Sequence, residues 1–508
     1  MFDNRDLKDI EDLGLNQAQV LGQIQVFKQG IPSLDVLRPA TIGDGIVDFD
    51  NDQWRTMAKS FERQSQTLEV VKFVPASGAA TRMFGFLFDF LHSFDPEKDR
   101  LNDYLAQPDR EAIAKFYANI KEFPFIQLIR QQVRDLYPGF KTWTKEKRFA
   151  TMVSVLIQEP GLDYGNLPKG LIPFHRYQKN ILSAFEEQLY EGAFYSGLQD
   201  AVYTHFTFSP EHLEGFKNEF SRVQSRLERQ TKKNFHISYS FQKERTKTIA
   251  VDLANEPFRD NQGRLVFRPS GHGALIENLN EVDADIVFIK NIDNVMAQAG
   301  VPEMALYKKG LAAILLDVQT KVHTYLKALS TNGEAVALEE VNAFLWKSFG
   351  TRNLTKTPEE AYQLLYRPIR VCGVVANTGA PGGGPFWIQD AEHKTSLQIL
   401  EGAQFDKENK RHMDVFAQAT HFNPVDLVCG LRDHRGVPYD LMQYRDEQMS
   451  FIARKNHQGQ PLKALELPGL WNGAMAHWHT IFVAVPLETF NPVKTVNDLL
   501  NKAHKPLS

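Results

Sequence analysis

The chain has 508 residues, 43% hydrophobic and 24% charged, enough for a packed core spread over roughly two to four domains or one large elaborated domain. A net charge of −4 excludes a wide basic face for nucleic acid, though not a local basic pocket. The two cysteines, Cys372 and Cys429, exclude a disulfide framework and lack zinc-site spacing. The polar, acidic start "MFDNRDLKDIEDLGL" has no signal-peptide apolar region. With no apolar run of the ~18 residues that span a bilayer, the expectation is a cytoplasmic protein without a membrane partner.

In chain order, residues 1–68 predict helix and loop, with a helical pattern that closes on Gly30. "LEVVKFVP" predicts a buried strand and "TRMFGFLFDFLHSF" the helix after it. From about 93 to 160 the pattern predicts a helical insertion, and "NILSAFEEQLYEG" another helix. "DAVYTHFTF", "FHISYSFQ", "TIAVDLA" and "ADIVFIKNIDN" read as strands, interleaved with the helices "PEHLEGFKNEFSRVQSRLERQ" and "MALYKKGLAAILLDVQTKVHTYLKAL". "RVCGVVANTGAPGGGPFWIQD" reads as a strand, a glycine loop and a second strand, and "HTIFVAVPL" as the last strand. Strands alternating with helices predict an α/β fold, its sheet largely parallel and covered by helices. The expected segments are an N-terminal helical extension (1–68), a nucleotide-binding core (69–365) and a C-terminal part completing an acceptor site (366–508).

"VPASGAATRM", Val74–Met83, takes a strand into a helix through tiny residues. Small residues let backbone N–H groups face a phosphate, the helix N-terminus adds partial positive charge, and Arg82 can fork onto phosphate oxygens. The alternative is a tight turn with a surface arginine. Neither G-x-x-x-x-G-K-[ST] nor G-x-G-x-x-G is present, so a P-loop and a dinucleotide fingerprint are excluded.

The stretch resembles the L-A-G-G-x-G-T-R-M loop of nucleotidyltransferases that activate sugar phosphates. Gly78, Thr81, Arg82 and Met83 match, while Ser77 and Ala80 stand where that family has glycine. Further on, Pro269, Gly271, His272 and Gly273, then Asn291, Asp293 and Asn294, resemble the P-x-G-H-G loop and N-x-D-N strand end of UDP-glucose and UDP-N-acetylhexosamine pyrophosphorylases. "FNPVKTVNDLL" resembles their F-L-P-V-K-x-x-x-D-L-L segment, which makes Lys494 the phosphate lysine; a lysine at a helix start is disfavoured by the dipole, itself a hint of an anionic partner. Pro168-Lys169-Gly170 resembles a phosphate-contacting P-K segment, and Gln242 the F-x-Q before the G-H-G loop, with Lys243 and Arg245 adding charge. The whole chain also looks like the DUF4301 family, a label that carries no activity.

The resemblance implies a Rossmann-like nucleotidyltransferase fold of the GT-A type. It further implies transfer of a nucleotidyl group from a nucleoside triphosphate, UTP by analogy, to a sugar 1-phosphate, releasing pyrophosphate. Ser77, Gly78, Ala79, Thr81 and Arg82 would hold the triphosphate; Asp293, at a strand's C-terminal end, would hold Mg²⁺. Lys494 and Lys169 would neutralise phosphate charge, and Gln242, Gly271, His272 and Gly273 would approach the nucleoside. Asp390 and Asp426 are open as a second carboxylate. Gly382–Gly384 beside Phe386 and Trp387 could wrap an acceptor or form a hairpin tip, and His477 and His479, on one face of a strand near Trp471, read as packing sooner than as a metal site. A glycosyltransferase of the same fold and a non-catalytic nucleotide-binding protein are the alternatives. Oligomeric state is not legible.

Overall fold

The computed structural model describes residues 2–76, 80–178, 180–198, 200–332, 336–351, 355–379, 382–390 and 393–506. The chain folds as two compact units, each built from three segments: Met1–Phe73, Ser240–Ile289 and Tyr307–Leu487 in the first, and Val74–Tyr239, Lys290–Leu306 and Glu488–Ser508 in the second. The three segments read from the sequence cut across these units.

The first unit carries a mixed, mostly parallel sheet between helices. Its strands lie in the order Thr41–Ile42, Gly45–Val47, His479–Ala484, Ile369–Ala376, Asp426–Gly430, Ile286–Lys290 and Val70–Pro75. Ile286–Lys290 runs parallel to Val70–Pro75, and Ile369–Ala376 parallel to His479–Ala484, while Asp426–Gly430 is antiparallel to Ile369–Ala376. From His479–Ala484 to Val70–Pro75 the strands are near-continuous buried runs because both faces are covered, the pattern of a parallel sheet rather than a half-solvated one, whereas Ile42 and Val47 on the edge strands are exposed. Phe73, Val287, Ile289, Leu427 and Phe482 form its buried core with Trp387 and Trp471.

The N-terminal stretch is not helix and loop throughout. Helices Asn4–Asp12, Gln17–Gln29 and Asn51–Gln64 each begin with a reciprocal capping box, Asp3 with Asp6, Asn16 with Gln19 and Asp50 with Gln53. Between them lie strands Asp35–Pro39, Thr41–Ile42 and Gly45–Val47. Pro39, Gly43 and Gly45 chop these strands to lengths that hide the two-residue alternation, and only pairing, such as Asp35–Pro39 against Gly383–Gln389, makes them strands.

The second unit holds the helical insertion, the α-helices Leu101–Leu105, Glu111–Ala118, Ile126–Leu136 and Lys145–Ile157, packed on aromatic side chains such as Phe90, Tyr104, Phe116 and Phe149. Hairpin Pro173–Tyr177 and Asn180–Ser183 leads into helix Ala184–Tyr195. That helix starts four residues later than its pattern predicts, because the Ser183 hydroxyl caps the Glu186 N–H and leaves Asn180–Ser183 free to pair as a strand. Likewise, Ala80–Arg82 form one turn of 3-10 helix before helix Gly85–Ser93, so Arg82 precedes the α-helix. Among the described residues no helix is long and apolar enough to cross a membrane.

Candidate active site

Ile286–Lys290 is buried at every residue and hands the chain to Asn291-Ile292-Asp293-Asn294 at its C-terminal end. The turn is fixed on all sides. Asn294 N–H donates to the Asn291 carbonyl (3.1 Å), Gln188 Nε2 donates to the same carbonyl (2.8 Å), and Ile292 N–H donates to the Pro75 carbonyl (3.2 Å). Against it lies the C-terminal segment. Asn491 N–H donates to Asn294 Oδ1 (2.8 Å), Asn294 and Pro492 form a β-bridge, and Val493 N–H donates to the Asp293 carbonyl (3.1 Å).

Lys169, from the turn Lys169–Leu171, reaches the same place. Its Nζ donates to Asp293 Oδ2 (2.8 Å) and to the Val493 carbonyl (2.8 Å). Lys494 Nζ lies 3.4 Å from that same Oδ2. The side chain of Asp293 is 9% exposed and that of Lys169 17%, whereas that of Lys494 is 51% exposed. Burial alone would push the Asp293 carboxyl up. The ammonium groups of Lys169 and then Lys494 outweigh it and hold the carboxyl below the usual aspartate range. Two cations around one carboxylate leave a net positive centre, which suits an anion.

The signature-like loop joins this cluster through its backbone. Ala80 N–H donates to the Leu167 carbonyl (2.8 Å) and Thr81 Oγ1 to the Gly165 carbonyl (3.1 Å), just before Lys169. The Met83 carbonyl accepts from Val496 N–H (3.0 Å), just after Lys494. Arg82 is exposed. Ser77, Gly78 and Ala79 lie outside the described residues. The second unit therefore brings Lys169, Asp293 and Lys494 together, with Thr81 bonded to the stretch just before Lys169 and the Arg82 side chain out in solvent. The dipole argument for Lys494 does not hold. The turn it precedes, Val496–Leu500, is five residues of 3-10 helix, and Asp498 Oδ2 already accepts the Lys494 and Thr495 N–H groups (2.9 and 2.7 Å).

Asp293 is a hard oxygen donor, and Mg²⁺ accepts as little as one carboxylate when phosphate and water oxygens complete its shell. No group of three or more His, Cys, Asp or Glu side chains suited to a metal occurs among the described residues. Asp293 is thus a single carboxylate, its Oδ2 already met by the ammonium groups of Lys169 and Lys494.

The other candidates belong to the first unit. Gly271 has φ +78°, and a Cβ there would lie 2.1 Å from Glu466 Oε2; at Gly273 it would lie 2.3 Å from the Pro468 carbonyl oxygen. The His272 ring stacks on Trp471 (4.0 Å, 9°), accepts the Leu470 N–H at Nδ1 (2.9 Å) and sets Nε2 3.4 Å from Glu401 Oε1. Burial would raise the Glu401 carboxyl. The His272 hydrogen bond, with smaller help from Asn472 and Trp471, holds it below the usual glutamate range. Glu401 and Asn472 escape sequence reasoning because no motif spans the distance to His272. Gln242 Nε2 makes a long bond to Thr246 Oγ1 (3.3 Å) within its own turn. Lys243 pairs with Glu281 and Arg245 with Glu277, so their charge is already matched.

Several candidates have structural duties. Asp426 pairs with buried Lys308, and Asp390 accepts the Lys394 N–H in a tight turn. Phe386 and Trp387 are core residues, and a Cβ at Gly384 would press on the His421 carbonyl oxygen at 3.0 Å. His479 stacks on Phe349 (4.0 Å), and burial pushes its pKa down to about 3. His477 precedes the strand that starts at His479, so the two do not share a strand face.

No curated protein sequence matches the chain. Among solved structures it is similar to a mutant UDP-glucose pyrophosphorylase from Leishmania major (13% identity, 97% of this chain and 77% of that one, TM-score 0.45). It is similar to uridine diphosphate N-acetylglucosamine pyrophosphorylase from Trypanosoma brucei in complex with inhibitor (12%, 95% and 74%, TM-score 0.46). It is also similar to UDP-glucose phosphorylase from Trypanosoma brucei (14%, 97% and 77%, TM-score 0.45). Residues 3–505 match the family model described as "Domain of unknown function (DUF4301)", and the chain belongs to that family.

Proposed function

We propose that the second unit is a nucleotidyltransferase centre that joins a nucleoside triphosphate, UTP by analogy of motif, to a sugar 1-phosphate. An oxygen of the acceptor phosphate attacks the α-phosphorus, the α–β bridge breaks, and pyrophosphate leaves with the electron pair. Such chemistry asks the protein for positioning and charge neutralisation rather than a covalent nucleophile. The observation that carries the reading is the convergence of Lys169 and Lys494, from separate motifs, on the single carboxylate of Asp293.

Lys494, half exposed, is the mobile cation and turns from Asp293 to phosphate when substrate enters. Lys169, bonded to both Asp293 and the Val493 carbonyl, fixes the carboxylate and the C-terminal segment. Arg82 supplies a fork for the leaving phosphates. Asp293 would hold Mg²⁺, which when bound would supply charge neutralisation at the phosphates. A second reading, nucleotide binding without turnover, is favoured by the close Lys169–Asp293 pair, which already neutralises the carboxylate a metal would need. Pyrophosphate release from each nucleoside triphosphate with a panel of sugar 1-phosphates separates the two. Turnover with one pair supports the transferase; nucleotide binding with no turnover supports the second reading.

A further inference from the structure

Helix Ala184–Tyr195 buries Glu186, Glu187, Gln188 and Glu191, each at most 3% exposed. Such side chains are seldom buried without a partner. For two of them the partner lies at the end of the strand that leads to Asp293. Gln188 Nε2 donates to the Asn291 carbonyl (2.8 Å) and lies 3.4 Å from the Ile292 carbonyl. One helical turn on, Glu191 Oε2 accepts from Lys290 Nζ (2.6 Å). The Tyr195 hydroxyl donates to Glu191 Oε1 (2.8 Å), and burial lifts the Tyr195 phenol well above its ordinary value, so that proton stays in place. Residues 188, 191 and 195 fall on one stripe of a helix. The stripe holds three consecutive residues, Lys290, Asn291 and Ile292, and Asp293 comes next.

The chemistry of Gln188 fits that place. Carbonyls beyond the end of a strand have no ladder and need donors from elsewhere. A neutral amide nitrogen offers two donors and brings no charge toward a carboxylate already met by two cations. The Lys290–Glu191 pair tolerates little displacement, because either charge left alone in the interior is costly. The helix has anchors of its own, the Ser183 cap and the Arg226–Glu186 pair, and so serves as the fixed side.

We propose that Gln188 is a positioning residue for Asp293: its amide holds the Asn291 and Ile292 carbonyls and thereby sets where the Asp293 carboxylate meets Lys169 and Lys494. Its part in catalysis rests on the proposed nucleotidyl transfer; its hold on the turn does not.

The test uses the full-length protein and Gln188→Met, which keeps the length and approximate volume of the side chain and removes the donors. Hydrogen exchange is followed in peptides covering residues 290–296, where the Ile292 and Asn294 N–H groups donate to the Pro75 and Asn291 carbonyls. The variant is expected to exchange there about tenfold faster, with helix Ile126–Leu136 of the same unit unchanged. A side chain that only filled space would be replaced by Met without that change. In turnover, kcat is expected to fall about tenfold or more with KM for the triphosphate within about twofold, because Gln188 acts on the turn and not on the phosphate cations. Unchanged exchange at residues 290–296, or a kcat within about twofold of wild type, overturns the proposal. Wild type alone decides if the variant fails to fold. Its Ile292 and Asn294 amides are expected to be protected to within about tenfold of strand Ile286–Lys290, and exchange at the rate of an open loop contradicts the hold. A wild type that releases no pyrophosphate with any pair of substrates sinks the transfer reading, while exchange still judges the hold.

Discussion

A buried carboxylate keeps its charge only with a partner, and Asp293 has two of unequal reach. Lys169 is mostly buried and doubly bonded; Lys494 is half in solvent. Lys169→Ala is expected to lower stability by about 3 kcal/mol, because it leaves a desolvated anion short of its nearer cation. Lys494→Ala, its pairing screened by water, is expected to cost no more than about 1 kcal/mol while weakening pyrophosphate binding. Chemical denaturation and calorimetric titration of the two variants check the contrast. The sign of the pH effect follows from the lowered Asp293 pKa. The stabilisation is fully present above the ordinary aspartate value and is lost as pH falls through the lower folded value. Asp293→Asn is therefore expected to flatten the acid limb of stability below about pH 4, and an unchanged acid limb would count against the pairing.

At the scale of elements, the C-terminal segment is the piece that completes the site, since it supplies Lys494 and lies along Asp293–Asn294. The glycine loop at Gly271–Gly273 is packed against the chain's own Glu466–Pro468 stretch. Gly273→Ala would drive a methyl into the Pro468 carbonyl oxygen, and a loss of about 1–3 kcal/mol is expected. Gly22→Ala, in the helix Gln17–Gln29 with open space around it, is expected to gain up to about 1 kcal/mol. Thermal melts of both variants would show opposite shifts; a Gly273→Ala protein as stable as wild type would mean that the loop has slack. Asp293, Lys169 and Lys494 are legible in sequence because each sits in a short motif whose spacing the backbone enforces locally. The buried contact between His175 and His504 is not legible. His175 and His504 are 329 residues apart, and no spacing announces that they will touch. The strands between Asp35 and Val47 escape for a related reason: their identity comes from partners distant in the chain.

For the molecule as a whole, acid should act well before the carboxylates titrate. His479 in the first unit and His504 in the second are buried, with pKa values pushed down to about 3 by burial. Unfolded, each takes a proton near the ordinary histidine value, so stability is full above about pH 6.5 and declines as pH falls toward the folded values. His479→Phe, which keeps the stack on Phe349, is expected to shallow that decline in a melting-temperature profile from pH 7 to about 4. An unaltered profile would mean that His479 takes up a proton without unfolding. The α/β class and the mostly parallel sheet follow from alternating elements in the sequence, whereas the division into two discontinuous units does not, because each is assembled from three separate stretches.

The most direct measurement of the central claim is pyrophosphate release with Mg²⁺, nucleoside triphosphate and sugar 1-phosphate, run on wild type, Asp293→Ala and Arg82→Ala. The account predicts release that requires one triphosphate and one acceptor together and falls by about 10²-fold or more in each variant. Release that persists undiminished in Asp293→Ala, or a wild-type protein that neither turns over nor binds any nucleoside triphosphate, would contradict it.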